Sequence, residues 1–259
     1  MGDATVPIVE LRSVNKSYTL QGQRIEALRG ASLKVRKGEF VCLIGASGCG
    51  KSTLLRIVAG FESASSGTAL MWDAPIERPH PSRGMVFQDY GLFPWLTVRG
   101  NIGFGPTARG RSSAEVKQTV ERFVELVGLT RFADAHPHQL SGGMKQRVAI
   151  ARVLANDAEV VLMDEPFGAL DAMTRERLQD ELLDLWRRTG LTVLFVTHSI
   201  EEAIFLADRV IVMSPGPGRI DSEYTIPLPR PRDVASPDFN EIRRMLGQKL
   251  HSHHARKAA

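Results

Sequence analysis

The stretch GASGCGKS, from Gly45 to Ser52, constrains the fold of this chain of 259 residues more than any other segment. It satisfies the pattern G-x-x-x-x-G-K-[ST] between an apolar run typical of a strand and an apolar run typical of a helix. Glycines let backbone N–H groups turn inward around an anion, and the following helix adds its positive N-terminal end. The stretch therefore predicts a phosphate-binding loop between a buried strand and a helix.

Strand-like and helix-like runs alternate along the chain, which is typical of an α/β fold with a doubly wound parallel sheet. The predicted strands are Val9 to Leu11 and Ala31 to Val35 in an antiparallel β edge layer, and then Glu39 to Ile44, Val160 to Met163, Thr192 to Val196 and Val210 to Met213. The predicted helices are Lys51 to Ala59, Ala114 to Val127, Met144 to Ala155, Ala172 to Arg188 and Ile200 to Leu206, followed by a C-terminal amphipathic helix with Phe239, Ile242, Met245, Leu246 and Leu250 on one side. Residues 101–111, rich in Gly and Pro, are predicted to be loop.

The composition, 43% hydrophobic and 24% charged, is that of a globular chain able to bury a core. We predict a single domain over residues 1–235, with a core formed by 1–88 and 157–235. A helical insertion subdomain is predicted at about 89–156. Residues 236–259 are predicted to form a C-terminal helix and a flexible tail.

Several features predict a cytosolic location. No apolar run approaches the roughly 20 residues needed to cross a bilayer. The N-terminal stretch MGDATVPIVE has no apolar core of a secretory signal. The two cysteines, Cys42 and Cys49, show neither disulfide nor metal spacing and suit a reducing compartment. The net charge is +4, and the lysines and arginines are scattered among the acids rather than clustered, so nucleic-acid binding is not expected.

The run VVLMDEP favours nucleotide chemistry at the glycine loop, because its buried strand ends at two acids. Lys51 is placed to reach the β- and γ-phosphates, and the Ser52 hydroxyl to bind Mg²⁺. Asp164 can hold Mg²⁺ through water, and Glu165 is assigned as the general base. A kinase or GTPase loop and a plain surface acid pair are the alternatives. No N-K-x-D motif follows, which disfavours a GTPase.

A second glycine-rich stretch, LSGGMKQR from Leu140 to Arg147, opens a predicted helix. As a plain helix start with Ser141 as its N-cap, it needs no ligand. If the stretch is instead a phosphate cradle, it lacks the lysine and the Mg²⁺ ligands that phosphoryl chemistry would need. It then makes sense only if it closes over a nucleotide held elsewhere.

The sequence resembles the ATP-binding cassette family over nearly its whole length. The motifs that carry the resemblance are Tyr18, GASGCGKST, Gln88, LSGGMKQR, VVLMDEP, ALD at Ala169 to Asp171, and His198. The resemblance implies a P-loop NTPase core that hydrolyses ATP with Mg²⁺. It also implies a head-to-tail pair of subunits, in which Ser141 and Gly143 of one contact the γ-phosphate bound by the other.

The resemblance assigns roles residue by residue. The implied ATP-binding residues are Tyr18, Gly45, Ala46, Ser47, Gly48, Cys49, Gly50, Lys51, Ser52 and Thr53. The residues implied to contact the partner's ATP are Ser141, Gly142, Gly143 and Gln146, and Asp171 would cross to the partner's loop. The implied catalytic residues are Glu165, His198 and Gln88, and the implied Mg²⁺ ligands are Ser52, Gln88 and Asp164. Tyr18 as an edge aromatic and His198 as a structural residue remain alternatives.

A stand-alone subunit of a bacterial importer is the class that the resemblance favours. Its implied partners are a second copy of the chain, two membrane permease subunits and, indirectly, a substrate-binding protein, at the cytoplasmic face of the inner membrane. The stretches SPGPGRI and LPRPRD are similar to the tails of nitrate, sulfonate and taurine importer ATPases, so a small anion is the expected substrate. A pyrimidine-type vitamin precursor, or a soluble cassette acting on nucleic acid, is the alternative.

Two local hypotheses complete the sequence analysis. The stretch from Gln88 to Gly105 is rich in Phe, Trp and Pro, and such residues either belong to the core or line a groove for a helix of a membrane partner. Cys49 lies among inward N–H groups near a helix N-terminus. These surroundings predict a lowered thiol pKa, with an ordinary loop residue as the alternative.

Overall fold

The computed structural model describes residues 6–168 and 170–255, and the chain divides into two compact units. The first unit is Met1–Pro79 together with Trp186–Ala259, and the second is His80–Leu185. The predicted division into a core and a helical subdomain stays a prediction. Within the described ranges, no helix has both the length and the apolarity to cross a membrane.

The bounds of the elements are as follows in chain order. The strands are β1 (Val9–Leu20), β2 (Gln23–Val35), β3 (Phe40–Gly45), β4 (Ser66–Met71), β5 (Ala74–Pro75), β6 (Arg83–Val86), β7 (Val160–Asp164), β8 (Thr192–Val196), β9 (Arg209–Ser214) and β10 (Arg219–Thr225). The α-helices are α1 (Lys51–Ala59), α2 (Val98–Ala108), α3 (Ser113–Leu126), α4 (Gly142–Ala155), α5 (Ala172–Thr189), α6 (Ile200–Leu206) and α7 (Pro237–Ala255). Two short 3-10 helices lie at Thr130–Phe132 and Pro137–Gln139.

The first unit contains an antiparallel sheet and a mostly parallel one. The antiparallel sheet has the strand order β2–β1–β4–β5, and the other strands of this unit have the order β10–β9–β3–β8. β3 runs parallel to β8 and β9, with Leu43 opposite Val196. Every residue of β3 and β8 is buried, as continuous apolar runs in a parallel sheet require. The segments that follow Gly45 and Val196 therefore leave from the same edge of the sheet.

The second unit combines a parallel strand pair with a helical core. β6 runs parallel to β7, with Val86 opposite Met163. The helices α2, α3 and α4 enclose a cluster of buried side chains, whose members include Val98, Ile102, Val120, Val124, Val148 and Ala151.

The loop predicted for residues 101–111 is wrong, because most of it belongs to α2. Packing outweighs the poor helix propensity of its glycines. Burial of Val98 and Ile102 stabilises by about 1.5–3 kcal/mol each, whereas the glycines of α2, Gly100, Gly103 and Gly105, cost about 1 kcal/mol each. A Cβ at Gly103 would lie 3.0 Å from Val120 Cγ2, and one at Gly105 would lie 2.8 Å from Asn156 Cγ. The glycines thus permit the close approach of α2 to its neighbours.

Candidate functional site

The glycine loop connects β3 to α1 as predicted, and close packing fixes its shape. Gly50 occupies the N-cap of α1 with φ +89°, and no side chain caps the helix. A Cβ at Gly50 would lie 2.6 Å from Leu28 Cδ2, and one at Gly45 would lie 2.6 Å from the Met213 carbonyl oxygen. No side-chain cap therefore competes with an anion for the N-terminal end of α1.

Lys51 is the cation of this loop. Its Nζ donates to the carbonyl oxygens of Gly45 at 2.8 Å and Ala46 at 3.1 Å. The side chain is only 5% exposed, yet loop residues Ser47 and Gly48 are exposed. The structure thus places a buried ammonium group beneath an accessible loop, as binding of a polyphosphate requires.

The predicted lowering of the Cys49 pKa is wrong. Burial raises the pKa of the Cys49 thiol, although the ammonium group of Lys51, 3.9 Å from its Sγ, opposes this shift. The N–H groups and helix end that suggested a thiolate do not outweigh desolvation. The thiol therefore remains protonated at neutral pH.

Tyr18 and His198 are the other predicted site residues of the first unit. Tyr18 lies within β1 and pairs with Ile25 of β2. Its ring is half-buried, with Lys16 Nζ at 4.9 Å from the ring centroid. His198 is exposed and follows β8, at the same sheet edge as the glycine loop.

In the second unit, Gln88 and the acids of VVLMDEP lie at one edge of the parallel strand pair. Asp164 ends β7 and is half-buried. A Cβ at Gly168 would lie 3.5 Å from Gln88 Nε2 and 3.8 Å from Glu165 Oε2. The structure thus brings Gln88 and Glu165 to the same point, although they are far apart in sequence.

Glu165 has a strained backbone, with φ of +47°. A residue other than glycine in this region costs on the order of 1–3 kcal/mol and persists only where its surroundings require it. Gly168 N donates to the Glu165 carbonyl oxygen at 3.1 Å and stabilises the turn. Strain of this kind is frequent at active sites, which supports the predicted role of the Glu165 carboxylate.

The signature stretch LSGGMKQR forms the first turns of α4. Ser141 is the N-cap, and its Oγ accepts a hydrogen bond from Met144 N at 3.3 Å. Ser141 is exposed, whereas Gly143 is buried against Leu178. Gln146 is only 1% exposed, so its predicted direct contact with a partner's ATP is not compatible with this position. The helical periodicity of the sequence alone did not show whether Gln146 lies on the buried or on the exposed side of α4.

Asp171, the last residue of the ALD stretch, is exposed and caps α5. Its Oδ1 accepts a hydrogen bond from Thr174 N at 3.0 Å, and this backbone donor lowers the pKa of the carboxyl group. Ala169 lies outside the described residues. The predicted crossing of Asp171 to a partner's loop stays a prediction, and the side chain already has a capping role within its own chain.

The residues present suit a nucleotide polyphosphate with a hard divalent cation. The loop supplies backbone N–H donors and the Lys51 ammonium group for phosphate oxygens. The predicted Mg²⁺ ligands, the Ser52 hydroxyl of the first unit and the Gln88 amide and Asp164 carboxylate of the second, are oxygen donors of the type that Mg²⁺ prefers. The chain therefore contains both donors for phosphate oxygens and oxygen ligands for a divalent cation.

Comparisons with known proteins agree with this geometry. The family model described as ABC transporter matches residues 28–168. The nitrate import ATP-binding protein NrtD of Synechocystis sp. is 46% identical over 91% of this chain and 89% of its own length. The taurine import ATP-binding protein TauB of Roseobacter denitrificans is 50% identical over 80% of this chain and 77% of its own. A solved dimeric ATP-binding cassette, in a post-hydrolysis state with ADP and Pi, has a TM-score of 0.72 and 33% identity, and the match covers 84% of this chain and 98% of that one.

The chain belongs to the ABC transporter family, as an ATP-binding subunit with ATPase activity. The predicted family is therefore confirmed. The predicted fold class, an α/β P-loop NTPase core with an antiparallel β layer and a helical part, is confirmed as well.

Gly218 is a residue of the site that the sequence analysis missed. It lies in the turn between β9 and β10, and a Cβ there would lie 2.0 Å from the Cys49 carbonyl oxygen. Its N donates to Ala27 O at 3.0 Å, and its O accepts from Arg29 N at 2.9 Å. The turn is thus fixed against the glycine loop. The signal was present in SPGPGRI, which was considered only for its resemblance to importer tails.

We expect Gly218→Ala to weaken ATP binding by roughly tenfold or more, because a methyl group at 2.0 Å must displace Cys49 and with it the loop. Titration with a fluorescent ATP analogue measures the change. Gly216→Ala is the control in the same turn, because a Cβ there would meet nothing within 4 Å. Its φ of +56° makes alanine strained, so this control strains the turn without a new contact to the glycine loop. Equal affinities of the two variants would show that the turn relaxes without moving the loop.

Proposed function

We propose that this chain is the ATP-hydrolysing subunit of a bacterial importer for a small anion, such as an aliphatic sulfonate, taurine or nitrate. The observation that carries the proposal is the identity of 46% and 50% to chains named nitrate import and taurine import ATP-binding proteins, over most of their length. In the working complex the chain pairs with a second copy of itself. Two permease subunits hold the pair at the cytoplasmic face of the inner membrane, and a substrate-binding protein acts indirectly.

In this proposal, the loop 45–53 binds the phosphates of ATP and Tyr18 stacks on the adenine. Ser52, Gln88 and Asp164 would hold Mg²⁺, which would supply charge neutralisation of the phosphates. The buried ammonium group and the N-terminal end of α1, which no side chain caps, support this assignment. Binding of ATP, together with Ser141 and the N-terminal end of α4 from the partner, closes the dimer.

Hydrolysis is assigned to three side chains. Glu165 accepts a proton from the attacking water at its carboxylate, and Gln88 orients that water. Their common position beside Gly168 supports this pairing. His198 donates a hydrogen bond to the γ-phosphate, and its location at the sheet edge of the glycine loop supports that role.

A cluster of three rings in the second unit, Phe93, Trp95 and Phe104, favours a protein partner. We call it the aromatic patch. The centroid of Phe93 lies 5.5 Å from that of Trp95 and 4.4 Å from that of Phe104, while Trp95 is 70% exposed. Asn101 fixes the preceding loop, because its Nδ2 donates to the carbonyl oxygens of Phe93 and Leu96, each at 3.1 Å. The patch is therefore both ordered and accessible.

A groove of about 870 Å³ between α2 and α3 adjoins the aromatic patch at Phe104. Its apolar lining residues include Leu96, Val116 and Val120, and Lys117 also lines it. Amphipathic helices bind in grooves of this type by inserting apolar side chains at helical spacing. We assign the groove and the aromatic patch to a short helix of the permease.

We expect Trp95→Asp to weaken association with the permease pair by roughly 30-fold or more, since an exposed Trp that becomes buried is a typical binding hot spot. Hydrolysis by the isolated subunit should not change, because Trp95 is 70% exposed and contributes little to the core. The measurement is co-purification with the permeases, followed by ATP-driven uptake of taurine or nitrate in reconstituted vesicles.

The matched control is Phe132→Asp, because Phe132 is 45% exposed in the same unit but belongs to a different element. It should assemble and transport normally. Full assembly of the Trp95→Asp complex would exclude the patch as the docking site. A chain whose hydrolysis rises with DNA or RNA, and which binds no membrane protein, would contradict the importer function itself.

A further inference from the structure

The segment after β10 holds α6 at both ends. We call residues 226–250 the C-terminal strap. It includes LPRPRD and the first part of α7, and Phe239 and Leu246 of this helix are buried. α6 begins two residues after His198, so the strap contacts the helix that directly follows a predicted catalytic residue.

Arg232 of the strap closes the C-terminal end of α6. Its Nη1 donates to the carbonyl oxygens of Ile204 at 2.5 Å, Ala207 at 2.6 Å and Phe205 at 3.3 Å. Its Nε donates to Leu228 O at 3.1 Å. The last carbonyl groups of a helix lack partners within that helix and form its negative end, so a guanidinium group suits this position.

Arg230 connects the same end of α6 to the sheet. Its Nη2 donates to Leu206 O at 2.5 Å, and its Nη1 donates to Asp208 Oδ1 at 2.6 Å. The guanidinium group lies 4.6 Å from the ring centroid of Trp186. Asp208 in turn accepts from Phe40 N at 2.9 Å, at the start of β3. The end of α6 is therefore fixed to the strand that leads into the glycine loop.

α7 holds the opposite end of α6. Arg243 Nη1 donates to Glu201 Oε1 at 2.5 Å, in the first turn of α6. A Cβ at Gly247 would lie 3.8 Å from Ile200 Cδ1, so the two helices pack closely there. Leu246, which is fully buried, lies between these contacts in sequence.

The backbone around His198 depends on α6. Ser199 caps α6, since its Oγ accepts from Glu202 N at 3.2 Å, and Ser199 N donates to Thr197 Oγ1 at 3.0 Å. On the other side, Thr197 N donates to Leu43 O at 3.2 Å. His198 thus lies between a residue fixed to β3 and the N-cap of α6. A shift of α6 would therefore change the position of His198.

We propose that Arg230 and Arg232 are positioning residues for ATP hydrolysis, which fix α6 and thereby hold His198 in place. The inference rests on the role proposed above for His198. Two arginines suit this task because each planar guanidinium group donates to several carbonyl oxygens in a fixed geometry. Burial lowers the pKa of Arg232 to about 10, and the charge of Arg230 adds to this shift. At neutral pH the guanidinium group therefore remains protonated.

The test uses Arg230→Ala and Arg232→Lys in the full chain. The lysine variant keeps the charge but loses the planar fork, so it weakens the strap without removing a buried cation. Arg209→Ala is the matched control. The Arg209 side chain is 17% exposed, against 13% for Arg230, and it pairs with Glu39 and Glu223 rather than with α6.

The first measurement is amide hydrogen exchange of peptides that cover residues 197–207. We expect exchange to become roughly tenfold faster in Arg230→Ala and Arg232→Lys, because α6 loses its fixed end. The Arg209→Ala control should exchange like the wild type. Equal acceleration in all three variants, or in none, would overturn the proposal.

The second measurement is kcat and KM for Mg-ATP, alone and in a His198→Ala background. We expect Arg230→Ala to lower kcat roughly tenfold with little change in KM. In the His198→Ala background it should lower kcat by less than about twofold, because both changes act through one side chain. If the loss of kcat persists in the His198→Ala background, or if Arg209→Ala shows the same loss, the strap has a purely structural role.

One combined outcome separates this inference from the proposed function. If exchange responds only to the strap variants but His198→Ala hydrolyses ATP at the wild-type rate, the role of His198 is refuted and the positioning role falls with it. The contacts between the strap and α6 would then be correct, and the error would lie in the catalytic assignment.

Discussion

Glu165→Gln is expected to lower kcat for ATP hydrolysis by roughly 10²–10⁴-fold while Mg-ATP still binds. The amide keeps the shape of the carboxylate but cannot accept a proton from water. The strained backbone at φ +47° should not change either, because Gln and Glu occupy that conformation at similar cost. The variant should accumulate as an ATP-bound dimer, which size-exclusion chromatography with and without ATP detects.

The control for this variant is Glu159→Gln. Glu159 is exposed just before β7, whereas Glu165 follows the opposite end of that strand. The control should hydrolyse ATP like the wild type and remain in its usual oligomeric state. Turnover by Glu165→Gln at the wild-type rate would remove Glu165 from the reaction. Gln88, which lies beside the same Gly168, would then be the next residue to test.

The sequence predicted the buried α/β elements well because their signals are local. The bounds of β8 and α6 were predicted to the residue, since a continuous apolar run and a capping serine define them. The helix after the glycine loop ends at Ala59 as predicted, and Gly60 is its C-cap. A Cβ at Gly60 would lie 2.4 Å from Arg78 O, so only glycine is tolerated there.

The exposed strands were predicted poorly because pairing, rather than local apolarity, forms them. In the antiparallel layer, only residues 9–11 and 31–35 were predicted as strand. In the structure, β1 extends to Leu20 and β2 begins at Gln23, so the two strands form a long hairpin. β10 was missed altogether, since it pairs with β9 through a polar, half-exposed face. Backbone hydrogen bonds between distant segments leave little trace in composition.

The same contrast between local signals and long-range packing holds for the candidate functional site. The residue types of the glycine loop, of VVLMDEP and of LSGGMKQR were sufficient to predict an ATP-binding chain with ATPase activity, because phosphate binding requires specific donors. The roles of the single side chains and the Mg²⁺ ligands stay predictions. Burial was not predictable from those motifs. Desolvation raises the Cys49 pKa where its neighbours suggested lowering, and helix packing buries Gln146. The approach of Gly218 to Cys49 depends on a turn far along the chain.

Whether one site is shared by two subunits is testable with two inactive variants. Lys51→Ala removes the ammonium group from the subunit's own loop. Gly143→Asp places a carboxylate at the start of α4, where the partner's γ-phosphate is proposed to bind. Two unit charges about 4 Å apart interact with about 4 kcal/mol at an effective dielectric constant of 20, so a carboxylate that close to the phosphate would weaken binding by roughly 10³-fold. Each variant by itself should therefore be nearly inactive.

Gly143→Ala is the control that separates charge from size. A Cβ at Gly143 would lie 3.1 Å from Leu178 Cδ2, so any side chain there requires Leu178 to shift by a few tenths of an ångström. The alanine variant should retain most of its ATP-dependent dimerisation. Loss of dimerisation in Gly143→Ala would mean that packing against Leu178, rather than phosphate repulsion, inactivates the aspartate variant.

The mixed dimer gives the decisive result. In a dimer of Lys51→Ala with Gly143→Asp, the intact loop of the second chain faces the intact LSGGMKQR of the first. One site is then whole and the other carries both defects. Co-expression with two different tags should therefore restore an ATP-dependent closed dimer that neither variant forms alone, detectable by tandem purification and size-exclusion chromatography. If a verified mixed dimer never closes with ATP while the wild type does, the sharing of the site is refuted. Ser141 would then serve α4 as its N-cap alone, the role that its hydrogen bond to Met144 already shows.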